Sequence, residues 1–402
     1  MKKNKINLFV FGLFLLIWAT NAYVIFGNIG KYISLFFGLS LLVISVLNRK
    51  LDLRLLRLTI VSFSILSLYI LISYFLDQKT FTAQFIIFDF MNIFLFIVGY
   101  NLSTVNEYEI KIPGSMIIFI SIATILSSFV YFSRQVLLDL DIGIRGLGDE
   151  SLNAVGVAYI HAQIFILLIW LLFRKNSFLI KGLLILASIG TLLVILITES
   201  RGAAIYLSLL CFIVFYKNIF SFINVKNFLP LTIIIIALGF LINTSLVQSK
   251  IENVSVRYSA LFLGESSIKT QDKSVKARLE IQSDFFDNYD EMIFGKYNYV
   301  PYPHNQFIEI YMRWGIFGIP IFIVSIFSFI NAMRFYKKHK EHKNSLKFFL
   351  FMVFIFCYLQ SMSSLSLDNN RLLWLGFGLF LSNNNLKKNN RFKVNKKYFN
   401  IQ

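Results

Sequence analysis

Charge is scarce in this chain. Only 15% of its 402 residues are charged, against 57% that are hydrophobic. A soluble domain carries about 25% charged residues, so an ordinary water-soluble fold is excluded. Cysteine is nearly missing. Cys211 and Cys357 each stand inside an apolar run, which excludes a disulfide framework and leaves two core thiols. Histidine is rare as well, and no histidine cluster suggests a metal. His339 and His342 stand among lysines with Glu341 nearby, the composition of a solvated face. The amino-terminal segment places Lys2, Lys3 and Lys5 before an apolar run over residues 8–19. It lacks a small-x-small cleavage site, so it is expected to stay as the first helix.

Long apolar runs are abundant. A stretch of about 17–25 mainly apolar residues can cross a hydrocarbon core about 30 Å thick. Such runs fall at 7–27, 32–48, 57–76, 83–100, 113–133, 152–173, 178–198, 202–216, 228–246, 305–333, 347–366 and 371–383, the tenth interrupted by Gly315, Gly318 and Pro320 and the last short. No barrel alternation is visible, so each is expected to be a helix. The fold class expected is an all-α polytopic membrane protein with about 12 transmembrane helices.

The net charge of +18 is a topology signal. With the amino terminus in the cytoplasm, most of the 39 basic residues fall in inside segments, including the cluster over 334–347 and the tail over 387–397. That distribution argues against a nucleic-acid partner and for contact with anionic lipid. Both termini are then cytoplasmic. The expected organisation is helices over 1–246, a large outer loop over 247–304, helices over 305–383 and a basic tail over 384–402. Within the loop, Val275, Leu279, Ile281, Phe285, Phe286, Tyr289 and Ile293 recur at helical spacing, which predicts an amphipathic helix.

Most acids lie outside in this topology, and among them stand Arg145, Arg201, Arg257 and Arg278. Arginine carries a permanent charge on a planar fork that matches phosphate oxygens in pairs. Arg201 lies in ITESRGAAIYL, residues 197–207, at the tip of an apolar hairpin, with Ser200 before it and Gly202 after. A charge there is expensive and is expected to have a function. A second constellation is YNYVPYPHNQFIEIYMRWGIFGIP, residues 297–320. Pro301 and Pro303 stiffen the approach, and His304 and Asn305 open a helix at the outer surface. Histidine exchanges protons near neutral pH, so His304 could accept the proton of an attacking hydroxyl. Glu309 and Arg313 are one turn apart and could pair.

TESRG opening a helix after an apolar span, with HNQFIEIYMRWGIFG after one large outer loop, resembles the O-antigen ligase and polymerase family. RLEIQSDFFDNYDEMIFGKYNY, residues 278–299, is similar to that family's Arg-helix-Gly stretch, with Lys296 where a second glycine is common. Arg145 to Gly156 has the spacing Arg, ten residues, Gly, and GDESLNAVG, residues 148–156, resembles the family's entrance to a middle span, with Asn153 as a polar contact. The resemblance implies a GT-C-like glycosyltransferase of the inner membrane that needs neither metal nor cofactor. Its substrate would be an undecaprenyl-diphosphate-linked oligosaccharide, with a chain-length regulator and a flippase as partner proteins. Arg201 and Arg278 would hold the lipid diphosphate and His304 would activate the acceptor hydroxyl. Arg145, Asn153, Ser200, Arg257 and Asn305 would add substrate contacts. A polymerase is favoured over a ligase because the chain is rich in Phe, Ile, Asn and Lys, a bias common in exchangeable surface-glycan gene clusters; seating two prenyl diphosphates also calls for additional cations, and Arg145, Arg257, Lys273 and Lys276 are available. A transporter or flippase is the alternative of a different class, with Asp89 and Asn92 as its intramembrane polar residues.

Overall fold

The structure is a computed structural model. It describes residues 3–47, 57, 61, 64, 83–102, 112–133, 154–174, 176–198, 200–215, 273–295, 303–339, 344–363, 366–367 and 370–381. Arg145, Asn153 and Arg257 lie outside the described residues, as do the expected span at 228–246, nearly all of that at 57–76, and the basic tail.

Every regular element among the described residues is helical, as backbone placed in lipid requires. The helices are α1 Lys3–Leu47, α2 Ala83–Leu102, α3 Gly114–Phe132, α4 Ala154–Leu172, α5 Phe178–Ile197, α6 Arg201–Phe215, α7 Lys273–Asp287, α8 Gln306–Trp314, α9 Ile319–His339, α10 Leu346–Ser361 and α11 Arg371–Leu381. Single 3-10 turns follow α7 at Tyr289–Met292 and α8 at Gly315–Gly318. Among the described residues, five stretches are long and apolar enough to cross a membrane: Asn7–Ser45, Gly114–Phe132, Val155–Leu172, Phe178–Ile197 and Gln306–His339.

The first and last of these are folded back on themselves. Helix α1 has 45 residues; laid straight it would extend about 67 Å, twice the hydrocarbon thickness. Gly27 breaks it with φ 68° and ψ −161°. The two limbs then pack together at Gly12 and Gly38, where a Cβ on either would meet the other's carbonyl oxygen at 2.9–3.0 Å. Ser34 Oγ donates to Leu15 O across the same seam at 2.7 Å. The runs at 7–27 and 32–48 are therefore two limbs joined without a loop.

The run at 305–333 is likewise not one rod. Nineteen residues of straight helix would separate Gln306 from Ser325 by about 28 Å, yet Gln306 Nε2 donates to Ser325 Oγ at 3.1 Å. The rings of Phe307 and Phe322 lie 5.0 Å apart. Helix α8 thus folds back along the start of α9 through a turn at Gly315, whose φ is 52°. The crossing element is α9, which extends to His339. Helix α11, the last expected span, has 11 residues and is about 16 Å long, too short to cross alone. It is enclosed by protein, with Gly378 against Phe96 O and Gly99 of α2 against Leu375 O so closely that neither position could hold a Cβ.

Polarity is inverted relative to a soluble bundle. On α9 the apolar Ile319, Ile323, Phe327 and Ile330 are exposed, while Ser328 and Asn331 turn inward. There Ser328 Oγ donates to Phe377 O at 3.0 Å and Asn331 Nδ2 to Phe380 O at 3.1 Å. On α3, Phe119, Ile122, Leu126 and Phe129 face out and Ser121, Thr124 and Ser127 face in. Lipid accepts the first face; the second makes helix–helix hydrogen bonds at Ser328 and Asn331, while Ser121 and Thr124 donate to carbonyls of their own helix. Helix α10 is apolar and buried on all sides and forms the central post, with Trp170 stacked on Phe349 at 4.8 Å and Tyr336 on Phe351 at 5.0 Å. One end of the bundle carries Lys337 and Lys338 and the contact of Arg174 Nη2 with Asn344 O at 2.9 Å. The opposite end holds the start of α4, the α5–α6 junction and the end of α10.

Candidate functional site

The α5–α6 reversal uses only residues 198–200. Thr198 closes α5, its Oγ1 donating to Ile195 O at 2.8 Å. Ser200 is buried and its carbonyl accepts from Ala204 N at 3.3 Å. Arg201 is the first residue of α6, so its backbone stands where a helix presents unsatisfied N–H groups and positive potential.

His304 is the only non-glycine among the described residues with positive φ, at 55°. That conformation costs an L-residue about 1–2 kcal/mol, and it persists because neighbours on every side hold it. Nδ1 lies 2.8 Å from Ser363 O. A carbonyl can only accept, so Nδ1 carries the proton and Nε2 holds the basic lone pair. Before it, Pro303 O accepts from Gln282 Nε2 of α7 at 3.1 Å. After it, Asn305 Oδ1 caps α8 by accepting from Phe307 N at 2.9 Å and Ile308 N at 3.4 Å. Asn305 was expected to touch substrate; its side-chain oxygen is engaged as a helix cap.

The next turn anchors the loop that carries Ser363. Glu309 accepts the Leu367 N–H with both carboxylate oxygens, at 3.1 and 3.0 Å. Leu367 O in turn accepts from Trp374 Nε1 at 3.0 Å and Asn92 Nδ2 at 3.4 Å. Glu309 and Arg313 do pair, with Arg313 Nε 3.1 Å from Glu309 Oε1. Gln306 bridges the site to α10, accepting from Ser361 Oγ at 2.7 Å.

Ser363 is where the two constellations meet. Its carbonyl takes the His304 imidazole, and its Oγ accepts from Tyr206 Oη of α6. Arg201 precedes Tyr206 by five residues, about 7.5 Å along the helix axis. Arg278 lies in α7, one turn before Gln282, the residue that holds Pro303. Helix α7 is fixed to α8 by Phe285 against Tyr311, ring centroids 5.7 Å apart, and by Tyr311 Oη donating to Tyr289 O at 3.2 Å. The backbones of Arg201 and Arg278 and the His304 side chain thus belong to one end of the bundle.

Tyr206 and Ser363 join the candidate site, and sequence reasoning does not find them. A tyrosine within an apolar helix and one serine of a serine-rich loop have no signature of type or spacing. His161 did have one, being an ionisable residue within an apolar run. It is fully buried in α4, with Nδ1 donating to Val157 O at 3.0 Å. The Asp89 side chain is outside the described residues. So are Asp139 and Asp141, an Asp-x-Asp spacing that can ligate a metal. Among the described residues no three His, Cys, Asp or Glu side chains gather around a common point.

Fold and site together define a helical membrane protein with a histidine-bearing polar site at one end of the bundle. No protein-family model matches the chain, and no curated protein matches it.

Proposed function

We propose that the chain is a polymerase of lipid-linked polysaccharide repeat units, of O-antigen or capsule type. In this reading it has about 12 spans in a GT-C-like arrangement, lies in the inner membrane with both termini in the cytoplasm, and works at the outer face. The supporting observation is the convergence on Ser363: the helix that begins with Arg201 and the imidazole of His304 hold the same residue.

The donor is a glycan on undecaprenyl diphosphate. A sugar hydroxyl of the next lipid-linked unit attacks its anomeric carbon, forming the new C–O bond as the bond to the diphosphate oxygen breaks. His304 Nε2 takes the hydroxyl proton. Undecaprenyl diphosphate leaves with growing charge, which Arg201 and Arg278 stabilise, with Arg145 and Arg257 outside the described residues as further cations. Ser363 O keeps the imidazole in the tautomer this step needs.

Purified protein in liposomes, given one lipid-linked repeat unit, should yield a ladder of longer chains and release undecaprenyl diphosphate. Elongation that starts only after a lipid A core or another distinct acceptor is added would replace polymerase by ligase. A transporter reading draws on polar side chains buried within the apolar helices, Asn92 and, beyond the sequence expectation, His161. Its signature would be movement of intact lipid-linked units across the bilayer with no change in glycan length.

A further inference from the structure

The end of the bundle that holds the site carries an exposed apolar patch. On α7 the acids Glu280, Asp284 and Asp287 recur at one helical face and are exposed. On the other side Phe286 is 64% exposed, and beyond the helix Phe294 is 61% exposed. Ile316 N donates to Ile293 O at 2.9 Å, and this bond holds the patch against the Gly315–Gly318 turn. Ile316 and Phe317 of that turn are exposed too, and the surface continues into Ile319, the first residue of the outward-facing stripe of α9.

So much contiguous apolar surface calls for a cover. Its continuity with the α9 stripe, where polarity is inverted, points to lipid. The acids stand on the opposite side of α7, which gives the segment one wet and one dry side. The aromatic content of the segment, with Phe286, Tyr289 and Phe294 all exposed, is that of an interfacial belt.

We propose that Phe286, Ile293, Phe294 and the Gly315–Gly318 turn form an interfacial anchor, seated at the boundary between lipid headgroups and acyl chains, with Glu280, Asp284, Asp287, Asp290 and Glu291 in water. The anchor fixes one end of α7 at the membrane. Gln282, one turn before Phe286, then holds Pro303 and with it the His304 turn. This proposal rests on the membrane class alone and is independent of the enzymatic reading.

The test is spin-label accessibility in phosphatidylethanolamine–phosphatidylglycerol liposomes. Phe286→Cys, Phe294→Cys and, as the water-facing reference, Asp284→Cys are placed in the full chain with Cys211→Ala and Cys357→Ala. Labels at 286 and 294 should relax more with oxygen than with a water-soluble nickel chelate, and the label at 284 should show the reverse order. Greater nickel access at 286 and 294 would overturn the anchor. So would immobile labels shielded from both agents, which would mean that protein covers the patch. Phe294→Trp, read by brominated-lipid against iodide quenching relative to the unsubstituted protein, gives the same discrimination without replacing cysteines.

Discussion

Replacing His304 by asparagine separates its chemistry from its place in the fold. Asparagine tolerates the left-handed conformation that His304 holds at φ 55°. Its Nδ2 can take over the donor role toward Ser363 O, now filled by Nδ1 at 2.8 Å. That hydrogen bond has a net value of about 0.5–1.5 kcal/mol, so His304→Asn should shift stability by less than about 1 kcal/mol. His304→Ala, which loses the bond and keeps the strained φ, should lose about 1 kcal/mol or slightly more. Neither variant has a base. A positioned general base contributes about 10²–10⁴-fold, equivalent to about 2.7–5.5 kcal/mol on the barrier. Elongation of one lipid-linked unit in liposomes should therefore fall by that factor in both variants, mainly in kcat and with little change in KM. Thermal unfolding in detergent monitors the fold in parallel. If His304→Asn elongates at the parental rate while His304→Ala is less stable, the imidazole is a structural strut and the assigned base is wrong.

Arg201→Ala should abolish elongation while the protein still inserts and accumulates, and Arg201→Lys should restore only part, because a point charge does not replace a planar fork; full activity in the alanine variant would make Arg201 a surface cation. Glu309→Ala leaves the Leu367 N–H without its acceptor and the buried Arg313 without its counter-charge, a change expected to cost about 3–5 kcal/mol. Glu309→Gln, which keeps one carbonyl acceptor, should cost less, and equal melting of both variants with the parent would refute the clamp. Reporter fusions after Lys338 and Tyr398 should report cytoplasm and one near Lys269 the outside; a cytoplasmic reporter at Lys269 would separate the loop from any outer-face substrate.

Helix positions were largely legible in the sequence, because lipid leaves an apolar run little choice but to close its hydrogen bonds within itself. The runs at 83–100, 113–133 and 178–198 became Ala83–Leu102, Gly114–Phe132 and Phe178–Ile197. Path was far less legible. Glycine is common in membrane helices and usually leaves them straight. Whether Gly27 and Gly315 reverse the chain depends on partners distant in sequence: Gly12 against Gly38 for the first, and the α7 segment against the turn for the second. The loop helix also divided its apolar residues in a way that spacing does not show. Phe285 packs on Tyr311, whereas its neighbour Phe286 is exposed.

The site was legible to the extent that residue type announces chemistry. Arginine and histidine stand out in an apolar chain, and both constellations fall at one end of the bundle. What joins them, Tyr206 to Ser363 to His304, uses a phenol and a serine that composition treats as ordinary. The backbone at His304 adds the strongest physical reason to treat this end of the bundle as functional. A left-handed histidine costs about 1–2 kcal/mol, and a glycine there would avoid that cost. Instead the conformation is held from separate parts of the chain: Gln282 on Pro303, the Asn305 cap, and Ser363 on the imidazole, with Glu309 clamping Leu367 a few residues beyond Ser363. A network of this kind gives the fold little that a glycine turn would not. It gives the imidazole one tautomer and one direction, which proton transfer needs and packing does not.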